Sequence, residues 1–174
     1  MKLFYFIIFI QFRLLLSTFS IVAIDTMNNE IGSAGASCIG NSVIISDIHP
    51  NIGAIHTQSY YLQYNQNYAS ELMDLGLSPS EIIELLEEND IQNNPAIRQY
   101  GIVDIDYGNN YGMLLESECD EIGDTQWDGI PGSGEIALCT DIRISRSASY
   151  TGEDCFSWMG HINGINYAIQ GNIL

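Results

Sequence analysis

Thr18 is the residue whose type and position in the sequence could make it a catalytic nucleophile. It begins a β-branched and aromatic run, Thr-Phe-Ser-Ile-Val-Ala-Ile-Asp, and directly follows a segment that is typical of a removable leader. A cut between Ser17 and Thr18 would make the threonine both nucleophile and base, because a free α-amine with a pKa of about 7.7 to 8.0 can take the proton from the Oγ of the same residue. Only hydrogen-bond donors for an oxyanion are then needed in addition. The alternative interpretation is that Thr18 is an ordinary strand-forming residue.

The first 17 residues resemble a secretory signal peptide. A lysine at position 2 precedes residues 3–10, which are all apolar, and a second short apolar run follows Arg13 and ends at Ser17. Export signals have a basic start and an apolar region of about 7 to 15 residues, whereas a membrane-spanning helix needs about 20. We therefore expect an exported protein, extracellular or periplasmic, without stable membrane insertion after processing. Signal-peptidase sites prefer small residues at both −1 and −3; a cut after Ser17 places the large Leu15 at −3, whereas a cut after Ser20 satisfies the rule and would remove Thr18.

No motif for a metal or an internal serine nucleophile accompanies Thr18 in the sequence. His49, His56 and His161 lack the i, i+4 spacing that places two imidazoles on one helix face, and there is no His-Glu-x-x-His. A histidine on a predicted strand, such as His56, is interpreted as a hydrogen-bonded structural residue. A Gly-x-Ser-x-Gly elbow and a phosphate-binding loop are missing as well. We expect neither a metal nor a cofactor.

Four cysteines follow the leader, at positions 38, 119, 139 and 155. An even number of cysteines in an exported chain favours disulfides, and no Cys-x-x-Cys spacing indicates a metal site. The sequence alone allows three pairings. We favour Cys119 with Cys139, which would close an acidic segment, and Cys38 with Cys155. The alternative is free buried thiols, since a buried cysteine often acts as a small apolar residue.

The chain is strongly acidic. Its 174 residues include 5 Lys+Arg and 22 Asp+Glu, for a formal net charge of -17. Because phosphate groups and anionic lipids would be repelled, we expect no nucleic-acid partner and no electrostatic docking to a membrane. Seven acidic residues fall between Glu116 and Glu135. This segment is interpreted as a solvated surface loop; a calcium site is the alternative, although no Asp-x-Asp-x-Asp-Gly loop is present.

Periodic and turn signals predict an α+β protein. Strands are predicted at 18–25, 30–38, 43–45, 53–57 and 100–106, and helices at 60–75 and from Ser78 onward. Asn28 and Asn29 mark the turn of the first hairpin. The run Ser-Pro-Ser-Glu at 78–81 is a capping box with proline at the first helical position. Small residues crowd the second strand, which indicates a close approach by another element or a ligand.

Several segments of the chain, in matching order, resemble a known family. They are Ser17–Ala23, Gly32–Ser37, Ala54–Gln58, Leu75–Ser78, Gly101–Asp104, Tyr150–Gly152, Trp158, Gly160–His161 and Gln170–Leu174. On these segments the chain is similar to the domain of unknown function family 1028, over most of residues 18–112 and 145–174. That family is grouped with the N-terminal-nucleophile (Ntn) hydrolases. The resemblance therefore implies a four-layer αββα sandwich, as a single domain over residues 18–174.

The resemblance also implies a role for Thr18. Members without a leader typically carry threonine directly after the initiator methionine, so both processing routes would expose the residue that matches Thr18. We expect hydrolysis of an amide bond in a small-molecule or peptide-like substrate, with Thr18 as the nucleophile. Ser37, Gln58 and Asn172 are candidates for oxyanion or substrate contacts, because they are polar residues of the family-like segments. The alternative is a non-catalytic exported binding or surface module on the same scaffold.

Two departures from the family pattern lead to further expectations. Residues from about 110 to 144 have no counterpart in the family, and we interpret them as an acidic insertion, either a disulfide-closed loop or an error in the predicted coding sequence. Family members also continue beyond the Gly-Asn-Ile-Leu motif at 171–174 with a helix and further sheet elements. The domain is therefore expected to be incomplete at its C-terminus, which would leave a sheet edge exposed.

Overall fold

The computed structural model describes residues 17–107 and 143–173, together with the backbone of two short strands at Met113–Leu114 and Ala137–Leu138. Residues 1–16 of the predicted leader, the Cys119–Cys139 pair and nearly all of the predicted acidic insertion lie outside the described residues. Within them the chain is a mixture of strands and helices, which confirms the α+β prediction. No helix among these residues is long and apolar enough to cross a membrane.

The strands, in chain order, are β1 Thr18–Asp25, β2 Glu30–Ala36, β3 Ser46–His49, β4 Gly53–Gln58, β5 Gln99–Asp106, β6 Met113–Leu114, β7 Ala137–Leu138, β8 Ile144–Thr151, β9 Met159–Asn163 and β10 Tyr167–Asn172. The helices are α1 Gln63–Asp74 and α2 Pro79–Glu88, with 3₁₀ turns at Ser42–Ile45 and Pro95–Ile97.

Two four-stranded antiparallel sheets form the body of the fold. The first sheet has the order β2-β1-β10-β9 and the second the order β3-β4-β5-β8, while β6 and β7 pair with each other. In the first sheet Thr18 pairs with Asn172, at the start of β1 and the end of β10. In the second sheet Gln58 pairs with Gln99, at the end of β4 and the start of β5.

The apolar residues divide into two cores, which define three layers. One core joins α1 and α2 to the second sheet through Met73, Ile82, Leu86 and Ile102, among others. The other lies between the two sheets and contains Val22, Ile24, Ala54, Val103, Ile105 and Ala168. Because side chains alternate between the faces of a strand, the strands of the second sheet supply both cores in turn. The layers are therefore helices, second sheet and first sheet.

The outer face of the first sheet carries apolar side chains that lie open to solvent. Phe19 of β1 is 51% exposed, Ile162 of β9 is 64% exposed, and Ile169 of β10 is 38% exposed. Ile169 stands directly between Ile21 and Ile162 in the strand register, so these residues form a row across the sheet. Among the described residues, no element covers this row, whereas the opposite face of the same sheet is buried against the second sheet.

Local sequence signals explain most element boundaries. The predicted strand 18–25 is confirmed at both ends, and the predicted capping box is confirmed at α2, where the Ser78 hydroxyl accepts from the Glu81 amide and the Glu81 carboxylate accepts from the Ser78 amide. The predicted strand 43–45 is wrong. The chain forms a 3₁₀ turn there, because the Asn41 side chain caps the turn by accepting from the amide of Val43.

The first helix is shorter than predicted. It starts at Gln63 and not at Tyr60, because Ser59 and Tyr60 have φ angles of 55° and 45° and cannot belong to a right-handed helix. The second strand also ends early, at Ala36 and not at Cys38.

Candidate active site

Thr18 lies at one end of the sandwich and turns its side chain toward the space between the sheets. It is 8% exposed, and its Oγ1 lies 2.8 Å from the Oγ of Ser37. Ser37 follows the end of β2, one step beyond the Phe19–Ala36 pair of the β1–β2 ladder. The register alone therefore sets the two hydroxyls side by side, on the inner face of the first sheet.

Asn172 faces Thr18 from the other neighbouring strand. It is the antiparallel partner of Thr18 in the β1–β10 ladder and is buried. Its Nδ2 donates to the Oε1 of Gln99 at 3.0 Å. One N–H of the Asn172 amide is thus held by the second sheet, and the amide has a second N–H that this bond does not use.

Gln99 joins the polar side chains of the two sheets. Its Oε1 accepts from Gln58 Nε2 at 2.6 Å as well as from Asn172. Its Nε2 lies 2.9 Å from the Oγ1 of Thr151, and 3.0 Å from the carbonyl oxygens of both Gly160 and Gly171. Gln99 is fully buried, with 0% exposure, and its bonds to Gln58, Asn172 and Gly171 are buried as well.

Gln58 extends the network toward β1. Its Oε1 accepts from the hydroxyl of Ser20 at 2.8 Å, so the side chains of β1, β4, β5 and β10 form one connected chain of hydrogen bonds. At the far side, the Oγ1 of Thr151 also lies 2.9 Å from His161 Nδ1. Burial lowers the pKa of His161 from its ordinary value. The network as a whole fixes the end of the sandwich at which Thr18 stands.

The structure brings the four site residues predicted from the sequence to this one end. Thr18 contacts Ser37 directly, and Gln58 and Asn172 meet on Gln99. Sequence reasoning missed Gln99, Ser20 and Thr151. The alternation of side chains along a strand could have identified Gln99. It precedes the predicted strand 100–106 by one residue, and alternation places it on the same inward face as Gly101 and Val103.

Aromatic side chains stand at the same end of the molecule. The amide of Ile173, the residue that follows Asn172, donates to the carbonyl oxygen of Phe156. Its ring stacks on Tyr60 with 5.2 Å between the ring centroids, and Trp158 is 59% exposed nearby in the chain. The carbonyl oxygen of Tyr60 accepts from Arg98 Nη1 at 2.5 Å, which holds the left-handed turn at Ser59 and Tyr60 in place.

Arg98 in turn is held by a buried ion pair. Its Nε donates to Asp90 Oδ2 at 2.7 Å, and the two side chains are 2% and 0% exposed. Burial raises the pKa of the Asp90 carboxyl, but hydrogen bonds from Arg98, Asn94, Asn65 and Gln92 outweigh that effect and leave the pKa well below its usual value. The carboxylate therefore stays charged at neutral pH, and the Arg98 guanidinium is anchored beside the end of β4.

The two cysteines in the described part of the chain are both free thiols. Cys38 is exposed, whereas Cys155 is buried and donates through Sγ to the carbonyl oxygen of Arg98 at 3.2 Å. The Cys38–Cys155 disulfide that we favoured from the sequence is therefore not formed in this structure. Burial raises the pKa of the Cys155 thiol, which disfavours the thiolate and suits a packed residue.

Among residues 17–107 and 143–173, no group of three or more histidine, cysteine or carboxylate side chains has an arrangement that could hold a metal ion. Asp104 and Asp106 both bond to Arg146. Their oxygens therefore neutralise a guanidinium in this structure.

The chain belongs to DUF1028, a family of unknown function, whose model matches residues 18–120. A crystal structure of a protein from Silicibacter pomeroyi, itself assigned to the DUF1028 family model, is similar in fold, with a TM-score of 0.59 and 18% sequence identity. The alignment covers 91% of this chain and 53% of that one, so the chain spans about half the length of its structural relative. No curated protein matches the chain. Because the sequence identity is only 18%, the similarity between the two structures shows a shared fold alone.

Proposed function

We propose that the chain is an N-terminal-nucleophile hydrolase that cleaves an amide bond through Thr18, after removal of residues 1–17. The observation that carries this proposal is the pairing of the Thr18 hydroxyl with Ser37 at 2.8 Å, directly beside the Asn172 amide. The match to the family model supports it independently, because it begins at Thr18. In the uncut chain the nitrogen of Thr18 forms the peptide bond to Ser17. The free α-amine that is required as the base therefore exists only after processing.

The reaction follows from the groups at this end of the sandwich. Thr18 Oγ1 attacks the carbonyl carbon of the substrate while the α-amine of Thr18 takes the hydroxyl proton. The N–H of Asn172 that Gln99 does not hold and the hydroxyl of Ser37 donate to the oxyanion that forms. The carbon–nitrogen bond then breaks, and the α-amine passes its proton to the leaving amine. Water, deprotonated by the same α-amine, hydrolyses the ester left on Thr18 and releases the carboxylic acid.

The network around Gln99 supports this assignment of roles. An oxyanion donor is effective only when it is oriented before the reaction, and Asn172 is held by a bond to a fully buried acceptor. Gln58 acts through Gln99 and does not contact Thr18 in the structure, so we assign it a positioning role. The exposed rings of Phe156 and Trp158 favour a substrate with an apolar group next to the amide.

The proposal includes the four-layer αββα architecture. Three layers are present in the described residues. The row of half-buried Ile21 and exposed Ile169 and Ile162 on the outer face of the first sheet is the kind of surface that a fourth, helical layer covers. We further propose that the protein is exported, since the segment before Thr18 is typical of a secretory leader, and that its substrate is a small molecule or a peptide-like amide.

The test uses the exported protein, or a chain expressed so that it starts at Thr18. N-terminal sequencing shows whether processing exposes Thr18, and a β-lactone, which acylates an N-terminal threonine hydroxyl, reports its reactivity without knowledge of the substrate. We expect one adduct on Thr18, retention of labelling in Thr18→Ser, and its loss in Thr18→Ala. An N-terminus at Ile21, or a folded chain that starts at Thr18 and takes no adduct, would overturn the proposal and leave a non-catalytic exported binding module as the better description.

A further inference from the structure

A second set of chemically competent groups lies outside the network around Thr18. A cleft of about 390 Å³ opens between β2, at the edge of the first sheet, and the 3₁₀ turn and β3, at the edge of the second. Its walls are largely apolar, with Ala34, Val43, Ile45 and Ile48 among the lining residues. Its polar lining includes Ser33, Ser46 and His56. Apolar walls with a few convergent polar groups are typical of small-molecule sites.

The polar groups of this cleft form a chain of short hydrogen bonds. Ser33 Oγ lies 2.7 Å from His56 Nε2 and 2.7 Å from Ser46 Oγ. His56 is 1% exposed, whereas Ser33 and Ser46 are only half-buried, so the serine hydroxyls face the cleft and the imidazole lies behind them. A serine hydroxyl within hydrogen-bond reach of a histidine nitrogen is the arrangement from which a serine nucleophile is activated.

The strand registers explain how the two residues meet. His56 pairs with Ser46 in the β3–β4 ladder, and it points between the sheets because Ala54 and Gln58, two residues away on either side, do so. Ser33 pairs with Val22 of β1, whose side chain also faces inward. The Ser33–His56 contact therefore joins β2, at the edge of the first sheet, to β4, the second strand of the other sheet.

The fold leaves the other nitrogen of the ring unused. Among the described residues, His56 Nδ1 is buried without a hydrogen-bond partner, and so are both amide atoms of Gln170. The Gln170 amide lies against Gly101, which is the cross-strand neighbour of His56. In His56, only the nitrogen that faces the serine is engaged.

We propose that Ser33 is the nucleophile of a second acyl-transfer site, with His56 Nε2 as its base, and that this site takes carboxylic esters of small apolar acids. Ser33 lies four residues from Ser37 along β2, a separation of about 13 Å at the rise of an extended strand. The site is thus separate from Thr18, and it does not require a free α-amine.

In the first step Ser33 Oγ attacks the ester carbonyl carbon, and its proton passes to His56 Nε2. The bond to the alkoxy oxygen breaks, and the leaving alcohol takes that proton, which leaves an acyl ester on Ser33. Water then attacks this ester with Nε2 as base, and the acid departs while Ser33 regains its proton. The hydroxyl of Ser46, which lies 2.7 Å from Ser33 Oγ at the cleft, is the donor for the oxyanion.

The test uses an alkyl fluorophosphonate on the full chain, with the adduct located by peptide mass spectrometry. We expect fluoride to be displaced and the phosphonyl group to be found on Ser33. His56→Gln should lower the labelling rate by about 10²-fold or more, since a positioned base contributes about that factor. Ser80→Ala, which removes an exposed serine of α2, should label like the wild type. Thr18→Ala should also keep the adduct on Ser33, which separates this proposal from the one on Thr18.

A second measurement covers the case in which His56→Gln does not fold. In the wild type, the ¹⁵N shift of His56 Nε2 at neutral pH should be that of an unprotonated nitrogen, since only that tautomer can accept the serine proton. A protonated Nε2, or a folded wild type without an adduct on Ser33, would overturn the proposal.

Discussion

Gln99 and Asn172 bond to each other across the two sheets. Gln99 Oε1, at the start of β5, accepts from Asn172 Nδ2, at the end of β10, at 3.0 Å. The same oxygen accepts from Gln58 Nε2 at 2.6 Å. Because Asn172 is also the strand partner of Thr18, the orientation of an amide beside the proposed nucleophile depends on a residue of the opposite sheet.

Gln99→Leu should lower the free energy of unfolding by about 3 kcal/mol. The substitution leaves the amides of Gln58 and Asn172 buried without their acceptor, and each such group costs about 1 to 3 kcal/mol. Urea unfolding of the two proteins measures the difference. Gln63→Leu is the matched control, because Gln63 is exposed at the start of α1, and it should change stability by less than about 0.5 kcal/mol. Equal losses in the two variants would show that the network does not hold the sheets together.

Arg98→Met should be more damaging than Arg146→Met. The first substitution leaves the carboxylate of Asp90 charged and fully buried, and removing one partner of a buried pair costs about 3 to 5 kcal/mol. Arg146, paired with Asp104, is 30% exposed, so solvent screens part of the loss. Thermal or urea unfolding ranks the two. A loss for Arg146→Met that equals or exceeds the loss for Arg98→Met would contradict the prediction.

His56 should make the protein less stable as the pH falls from about 6.5 to about 4. Burial lowers the pKa of His56 to about 4 in the folded chain, and the groups that face the ring, Ser33, Ser46 and Gly101, are uncharged. Between the two pKa values the unfolded chain binds a proton that the folded chain does not. Stability is therefore complete above about pH 6.5 and falls by about 3 kcal/mol on the way to pH 4.

Urea unfolding of the wild type and His56→Gln at several pH values between 7.5 and 4 isolates this effect. The wild type should lose stability more steeply over that range, because glutamine does not titrate. Parallel curves for the two proteins would mean that the folded and unfolded chains bind the proton on His56 equally well.

Gly152→Ala should destabilise the protein by about 2 kcal/mol or more. A Cβ at position 152 would lie 2.1 Å from the carbonyl oxygen of Ala96, and the amide of Gly152 already donates to the carbonyl oxygen of Arg98 at 2.9 Å. The backbone cannot move away without breaking that bond, so overpacking is expected. Gly32→Ala is the control, because nothing lies within 4 Å of a Cβ there. Melting temperatures that agree within error for the two variants would show that the segment around Ala96 moves freely.

Elements with strong local signals were predictable because their causes are local. The strand 18–25 follows from a run of β-branched and aromatic residues, and the start of α2 follows from the reciprocal bonds of Ser78 and Glu81. The 3₁₀ turn at 42–45 was not predicted, because its apolar residues resemble those of a strand. The hydrogen bond from the Val43 amide to the Asn41 side chain stabilises the turn instead. The early start predicted for α1 failed for a similar reason, since no sequence pattern reports the positive φ angles of Ser59 and Tyr60.

The sequence by itself determined the class of fold, the first strand and the position of Thr18 at its head, because these depend on residue type and on neighbours in the chain. Only the tertiary structure decided which polar residues meet. Ser37, Gln58 and Asn172 converge near Thr18 because antiparallel registers place four strand ends at one end of the sandwich. Ser33 and His56 meet for the same reason between β2 and β4. Such contacts join residues distant in sequence, and they depend on register and sheet packing, which residue spacing does not encode.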